Sequence, residues 1–388
     1  MAKKILIINK SFELGGIQIA LSNMLDAISE RYDIDLAIFN SNGPLKCRVP
    51  DNVNIVSLHP FVQVLGMNAD YCKKYGSIKQ KIFKVIGSIW SRFWGNNLPI
   101  KFAMKFQKKL GPYDAVISYH QETKDNTMVS GFGEFALYKC DAPLKIAWVH
   151  ADFINTALAT RRNYKTYSQF DKIICVSKTT RNSFITVYPE LKEKTSFCYN
   201  YLPQDKIIAK SLEYEVSYKQ DKDIILFSAG RLVEEKGYIQ AARKFVEIYG
   251  ECKNFKWYIA GSGPKEIELS KIINDNHLEN VIFLLGYQSN PYPYIREADY
   301  LFLPSVHETF SMVVNEAHIL GTQVIATDIP VMHEMLDDND IMISREMNEL
   351  KNVLKMGKKQ KKVMPEKKED GFSSSIFQQN FSNILSNR

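Results

Sequence analysis

Ten consecutive residues, His307-Glu308-Thr309-Phe310-Ser311-Met312-Val313-Val314-Asn315-Glu316, set two carboxylates eight positions apart across the predicted start of a helix. They follow a short apolar run at 300–303, closed by Pro304 and Ser305. They lead into Met312, Val313, Ala317 and Leu320 at helical spacing. The pattern puts Glu308 on the loop at a strand's carboxyl end and Glu316 in the second turn of the next helix. The backbone N–H groups of 309–312 would present the positive end of that helix to an anion. One crevice would then hold two carboxylates, able to accept from hydroxyls, and an anion site.

Two cations belong to the same chemistry. Gly230-Arg231 ends an apolar run and Lys236-Gly237 lies a few residues on. Held at a strand's carboxyl end, Arg231 and Lys236 would clamp a diphosphate and stabilise charge on a departing one. Solvated surface charge is the plainer explanation of either cation alone. Gly261-Ser262-Gly263-Pro264 and Gly286-Tyr287 also close apolar runs, at the edge where open α/β sheets bind ligands. In the first half, Gly15-Gly16 lies between a strand and a helix, where small residues let a ligand approach the backbone. It lacks the GxGxxG dinucleotide fingerprint, and a plain turn would also explain it. His150, in Trp148-Val149-His150-Ala151-Asp152, could face substrate hydroxyls or be structural. His120 and Gln121 are a weaker case of the same kind.

The elements that must position these residues follow from patterning. Short β-branched runs at 5–8, 34–39, 53–58, 115–119, 146–149 and 173–176 alternate with helical stretches, which predicts a parallel sheet wrapped by helices. Residues 201–223 turn polar without apolar period and are read as an interdomain connection. Alternation resumes at 224–227, 257–260, 281–284, 300–303, 324–326 and 341–343, a second doubly wound sheet. Residues 355–368 are lysine-rich, broken by Pro365, and read as a loop. Phe372, Ile376, Phe377, Phe381, Ile384 and Leu385 then suggest one amphipathic helix.

With 388 residues, 45% hydrophobic and 24% charged, the chain is globular and too long for one modest core. The basic start is followed by an apolar run too short for a signal peptide, so none is expected. No stretch approaches the ~20 apolar residues that span a bilayer. Six cysteines without CxxC pairs fit free thiols in a reducing cytoplasm. The histidines show no ligand spacing, so no metal is expected. Neither Asp33-Ile34-Asp35 nor Asp337-Asp338-Asn339-Asp340 is assigned one. In the first, one aspartate would point inward; the second lacks the glycine and closing glutamate of a calcium loop.

The net charge of +7 is uneven: residues 71–113 carry ten Lys or Arg and no Asp or Glu. Ile82, Phe83, Val85, Ile86, Ile89, Trp90, Phe93 and Trp94, then Phe102, Met104 and Phe106, are interleaved with those cations. Helices that lie on anionic membranes have this composition. Nucleic acid is set aside as a partner because no RNP or helix-turn-helix signature accompanies the charge. A core-packed helix with a solvated lysine face stays open. Neutralising Lys81, Lys84 and Arg92 is the test.

Gathered together, Gly15-Gly16, Gly230-Arg231, Lys236-Gly237, Gly261-Ser262-Gly263-Pro264, Gly286-Tyr287 and the Glu308 to Glu316 run resemble the family 4 retaining glycosyltransferases, over roughly residues 3–336. The match is specific in the second half and loose in the first. The resemblance implies an α/β protein of the GT-B fold, two doubly wound Rossmann-like domains facing an interdomain cleft. Residues 1–200 would bind acceptor and 201–371 the nucleotide sugar, with a helix at 372–388 packing back on the first domain. It further implies that Glu316 binds ribose hydroxyls, Glu308 contacts the donor sugar, and Arg231 and Lys236 hold the diphosphate. Phe310, Ser311 and Met312 would add backbone contacts, Gly15 and Gly16 would meet the phosphate side, and His150 a sugar hydroxyl. The base would lie near Gly263 and Tyr287. Glu308, His150, Arg231 and Lys236 form the implied catalytic set. Retention by front-face attack, with the leaving phosphate taking the proton, needs no protein nucleophile, cofactor or metal. The chain departs from the family after Asp328, where Ile329-Pro330-Val331 replaces a frequent Gly-Gly pair.

The expected function is therefore transfer from a nucleotide-diphosphate sugar, taken as a UDP-sugar, to a glycan or lipid-linked oligosaccharide in capsular or exopolysaccharide synthesis. The expected place is cytoplasmic, peripheral on the inner face of the cell membrane through 71–113. A sugar-nucleotide epimerase, or a non-catalytic nucleotide-sugar-binding partner of another transferase, remains an alternative.

Overall fold

A computed structural model describes residues 2–216, 218, 223–358 and 373–386. The chain divides into two compact units, Met1–Tyr201 with Ser374–Arg388, and Leu202–Ser373. The first holds seven parallel strands: β1 (Lys4–Ser11), β2 (Asp33–Asn40), β3 (Asn54–Val56), β4 (Ala115–Ser118), β5 (Lys145–Val149), β6 (Lys172–Cys175) and β7 (Thr195–Phe197). Their order is β3-β2-β1-β4-β5-β6-β7. Helices cover both faces, so β1 and β2 are nearly continuous apolar runs with hardly an exposed position. Strand β7 is absent from the sequence reading for a physical reason: it is an edge strand of three residues, two of them exposed. Asp35 of the Asp33-Ile34-Asp35 triplet turns inward, accepting from the Tyr113 hydroxyl and the Asn54 amide at 2.8 Å each, while Asp33 faces out.

The helix Ser374–Ser386 belongs to this first unit. It buries Phe377, Phe381, Ile384 and Leu385, and Phe381 meets the Tyr32 ring at 5.6 Å between centroids. Lys3 and Lys172 donate to the carbonyls of Leu385 and Ile384 at 3.0 and 2.7 Å. Cations at these last carbonyls satisfy the helix's orphan acceptors and its negative end together. Phe372, and the lysine-rich stretch from 359 onward, lie outside the described residues.

The helix Ile78–Trp94 inverts the usual burial rule. A Ser77/Gln80 capping box starts it. The side it turns to the protein carries Gln80, Lys84, Gly87 and Ser91. Its exposed side carries Ile78, Ile82, Val85, Ile86, Ile89, Trp90, Phe93 and Trp94. Leu98 and Phe102, on the following helix Asn97–Lys105, and Phe106 just beyond it extend that exposed surface. Lys84 does not join the exposed cations: its Nζ donates to the carbonyl of Met67 at 2.5 Å and of Val64 at 3.4 Å. Burial lowers its pKa to about 8. The expectation that Lys84 faces a lipid surface is corrected accordingly.

The second unit holds β8 (Ile224–Ala229), β9 (Phe255–Ala260), β10 (Ile282–Gly286), β11 (Tyr300–Leu303), β12 (Gln323–Thr327) and β13 (Ile341–Ile343), in the order β10-β9-β8-β11-β12-β13. The ladders are parallel throughout. The stretch read as connection contains a helix, Gln204–Ser211. Only Ile207 and Ser211 of that helix are buried, one turn apart, so its apolar signal is too thin to register. Asn290 ties it to the unit, donating to the Lys210 carbonyl at 2.8 Å. No described helix is long and apolar enough to cross a membrane.

Candidate active site

Both sheets change winding direction at one place, β1/β4 in the first unit and β8/β11 in the second. Open α/β sheets bind ligands outside the strand carboxyl ends at such switch points. In the second unit the loops there are stitched to one another by backbone hydrogen bonds. Gly230 N–H donates to Ala260 at 3.0 Å, Leu232 to Ser262 at 2.9 Å, Gly261 to Gly286 at 2.8 Å, and Val306 to Glu235 at 2.9 Å. Two glycines allow that closeness. A Cβ on Gly237, which has φ +69°, would sit 1.8 Å from the Pro304 carbonyl oxygen, and one on Gly263 would sit 2.5 Å from that of Leu232.

The stitching brings Lys236 and Glu308 together from 72 positions apart in sequence, with Nζ and Oε1 at 2.5 Å. The same Oε1 accepts from the Ser305 hydroxyl at 2.9 Å. Both side chains are largely shielded, so this ion pair is stronger than a surface one and holds the carboxylate in a fixed place. Beneath it lies the buried Tyr238 hydroxyl, without a hydrogen-bond partner among the described residues and 2.9 Å from where a Cβ on Gly230 would be. Burial and the neighbouring Glu308 charge both raise the Tyr238 pKa, so the phenol stays protonated.

Glu316 is buried in the second turn of the helix Met312–Ile319 and accepts from the Tyr292 hydroxyl at 3.2 Å. Ser311 is the N-cap residue of that helix, yet its buried hydroxyl makes no capping bond and has no partner among the described residues. Phe310 is buried beside it and Met312 half-buried. Arg231 is exposed on the loop after β8 and enters no ion pair among the described residues. Tyr287 is exposed and Gly263 half-buried, on the loops after β10 and β9. In the sequence Ser305 reads only as closing the strand with Pro304, and Tyr238 and Tyr292 carry no sign of a role. A serine two residues beyond the strand end was a visible signal; the tyrosines show their role only through contacts across the fold.

At the first switch point, Gly15 precedes the helix Gly16–Ile28 in an extended conformation. A Cβ there would meet only the flexible end of the Gln18 side chain, so the unit's own packing does not dictate glycine. His150 is buried after β5, and its backbone N–H donates to Gln121 Oε1 at 3.1 Å. The ring stands edge-on to Tyr119 at 4.7 Å between centroids. Its Nε2 is buried without a partner. Burial lowers the His150 pKa to about 3 and that of His120 to about 4, so both imidazoles are neutral at pH 7. Asn9 Oδ1 and Asn40 Nδ2, at the ends of β1 and β2, are also buried without partners.

The Asp337 to Asp340 run closes on itself. Asp340 accepts from the N–H groups of Val324 and Asp337, both at 2.9 Å, and pairs with His318 Nε2 at 2.7 Å. His318, Asp337 and Asp340 thus cluster, with Asp340 bound up in shaping the loop.

Two doubly wound units of this kind, each reversing at one switch point, have the GT-B fold. Residues 211–365 match the glycosyl transferases group 1 family. The chain is 30% identical over 171 residues to an uncharacterized glycosyltransferase of Methanocaldococcus jannaschii. It is 28% identical over 162 residues to an N-acetylgalactosamine-N,N'-diacetylbacillosaminyl-diphospho-undecaprenol 4-alpha-N-acetylgalactosaminyltransferase of Campylobacter jejuni. Each alignment covers 42% of this chain and 42% of the relative, so the chain spans less than half the length of either. In fold it is similar to Anabaena HepE, solved with UDP and glucose, with a TM-score of 0.61 at 17% identity over 99% of this chain and 93% of that one. S. aureus TarM is similar too, with a TM-score of 0.61 at 12% identity over 100% and 99%.

Proposed function

We propose that the protein is a retaining, metal-independent hexosyltransferase of family 4, moving a sugar from a nucleotide diphosphate, a UDP-sugar, to a lipid-linked glycan in surface polysaccharide synthesis. The observation that carries this reading is the Lys236–Glu308 pair at the β8/β11 switch point, beside the start of the helix Met312–Ile319. The second unit holds the donor. Lys236 and the exposed Arg231 neutralise the diphosphate, and Glu316, steadied by Tyr292, accepts from ribose hydroxyls. Glu308, fixed by Ser305 and Lys236, accepts from hydroxyls of the donor sugar. In the step itself the bond from the anomeric carbon to the phosphate oxygen breaks. The acceptor oxygen bonds to that carbon from the same face, and its proton passes to the leaving phosphate. The cations make that phosphate a tolerable leaving group. In the first unit the neutral His150 offers Nε2 as an acceptor for a sugar hydroxyl. The Campylobacter relative, whose name specifies a diphospho-undecaprenol substrate, and the UDP held by HepE support the choice of acceptor and donor.

The inverted helix Ile78–Trp94 supports a peripheral site on an anionic membrane, the inner face of the cell membrane. Of the ten cations in 71–113 Lys84 is buried; the other nine enter no ion pair among the described residues, and two copies meeting there would bring like charges together. Thermal shift against a panel of nucleotide sugars tests the donor, since a true donor stabilises by mass action. Radiolabel from that donor should then appear in lipid extract. Conversion of donor alone to its epimer would overturn the transferase reading. Flotation with anionic vesicles tests the membrane: Ile82→Asp with Ile86→Asp should stay at the bottom while the parent floats. A parent that sediments, or one that dimerises through this helix, would overturn it.

A further inference from the structure

We propose that a groove between the helix Ile78–Trp94 and residues 126–128 seats the phosphate of an anionic glycerophospholipid, with Arg92 as its cation. The proposal rests on the membrane reading above and names the ligand that the reading leaves unspecified. The groove has a volume of about 320 Å³. That is the low end of the range for ligand sites, about 300 to 1,000 Å³, and matches a headgroup rather than a whole lipid.

Its lining divides by chemistry. Arg92, Ser88, Asn126 and Thr127 supply a guanidinium, two hydroxyls and an amide; Ile89 and Phe93 supply an apolar rim. Met128 is buried at its base, and Gly87 makes room for it, since a Cβ on Gly87 would sit 2.5 Å from Met128 Sδ. Arg92 is exposed and has no carboxylate partner among the described residues. The nearest acid in sequence to the groove, Asp125, is engaged elsewhere. Its Oδ1 accepts from Thr160 Oγ1 at 3.0 Å and lies 3.9 Å from Arg162 Nη1. A guanidinium fork with neutral donors around it suits a phosphodiester, and a bare hydrophobic contact would not need it. The position is equally telling. Ile86, Phe93 and Trp94 are 60–70% exposed on the same helix, so a phosphate in the groove leaves its acyl chains beside the surface proposed to enter the bilayer.

The chain supplies its own reporter. Of four tryptophans, Trp90 and Trp94 are exposed on this helix, while Trp148 and Trp257 are buried in the two sheets. Titration with dihexanoylphosphatidylglycerol below its micelle threshold should give a saturable blue shift of the exposed pair. Arg92→Gln should weaken that binding about tenfold or more, the scale of a lost charged hydrogen bond. Arg92→Lys should fall between, and Lys79→Gln, exposed at the far end of the helix, should stay near the parent. An unchanged affinity for Arg92→Gln, no saturable response of the parent, or equal binding of dihexanoylphosphatidylcholine would overturn the site. Tighter binding of a short prenyl phosphate would also overturn it, assigning the groove to the acceptor. Flotation separates the two claims. A parent that binds the short-chain lipid yet fails to float keeps the groove and removes the membrane reading; one that floats equally with and without Arg92 does the reverse.

Discussion

The two sheets reverse at equivalent places, yet their carboxyl edges treat polar atoms differently. At the β8/β11 edge the carboxylates are already partnered, Glu308 with Lys236 and Ser305 and Glu316 with Tyr292, while the Tyr238 hydroxyl and Ser311 Oγ beside them are buried with no partner among the described residues. At the β1/β4 edge Asn9 Oδ1, Asn40 Nδ2 and His150 Nε2 are buried with no partner among the described residues. A buried polar atom left unpaired costs roughly 1–3 kcal/mol, so such atoms are retained where a ligand completes them. The difference teaches a division of labour. On the proposed function the second edge has its carboxylates fixed in advance, as chemistry at a departing phosphate requires, while the first offers neutral groups for what it binds.

The largest effect should come from breaking the organised edge. Glu308→Gln keeps the size and an acceptor for Ser305 but removes the charge that holds Lys236. Turnover should fall about 10²- to 10³-fold, as when one preorganised electrostatic contact is lost. Circular dichroism and melting temperature should stay near the parent. Undiminished turnover would take Glu308 out of the site. Arg231→Ala comes next. With no ion-pair partner among the described residues to strand, its loss should weaken nucleoside-diphosphate affinity about 10- to 100-fold by calorimetry. An equal dissociation constant would remove Arg231 from the diphosphate.

The comparison sharpens at His150. Replacing it with Ala should leave nucleotide affinity unchanged and lower kcat/KM for transfer about tenfold, the worth of one hydrogen bond to a bound hydroxyl. A loss of nucleotide affinity instead would mean that the two edges do not divide the work as described.

Legibility in the sequence follows the same contrast. Strands buried on both faces announce themselves as apolar runs, so β1, β2, β8 and β11 were plain. The edge strand β7 and the helix Gln204–Ser211 bury too little to leave a pattern. Glu308 and Lys236 were readable as types at strand ends, but their meeting was not, because it depends on loops joined across the sheet. Lys84 misled because helical spacing does not say which face turns inward. Here the polar face does, held by the carbonyls of Val64 and Met67.

The smallest effect expected is on stability with pH, and its sign is fixed by burial. The His150 pKa is lowered to about 3 in the folded protein, against about 6.5 when unfolded. The unfolded chain therefore binds the proton first as pH falls. The contribution is fully present above about pH 6.5 and is lost progressively towards pH 3. From pH 7.5 to 5.5 the loss is roughly 1 kcal/mol, a few degrees in melting temperature for a domain of this size. Glu134 works in the opposite direction. Burial and the neighbouring Glu122, sharing Arg162 with it, raise its pKa to about 8. Its protonation in the fold stabilises as pH falls from 8 towards the ordinary carboxylate range. The raw melting curve mixes these trends, so the test is a difference. His150→Gln, which cannot titrate, should lose less stability than the parent between pH 7.5 and 5.5, because Glu134 contributes equally to both proteins and the neighbouring His120, its pKa lowered to about 4 by burial, stays neutral in the fold across that range. Identical changes would mean that His150 is protonated as readily in the fold as outside it, and the neutral acceptor assigned to the first edge would have to be abandoned.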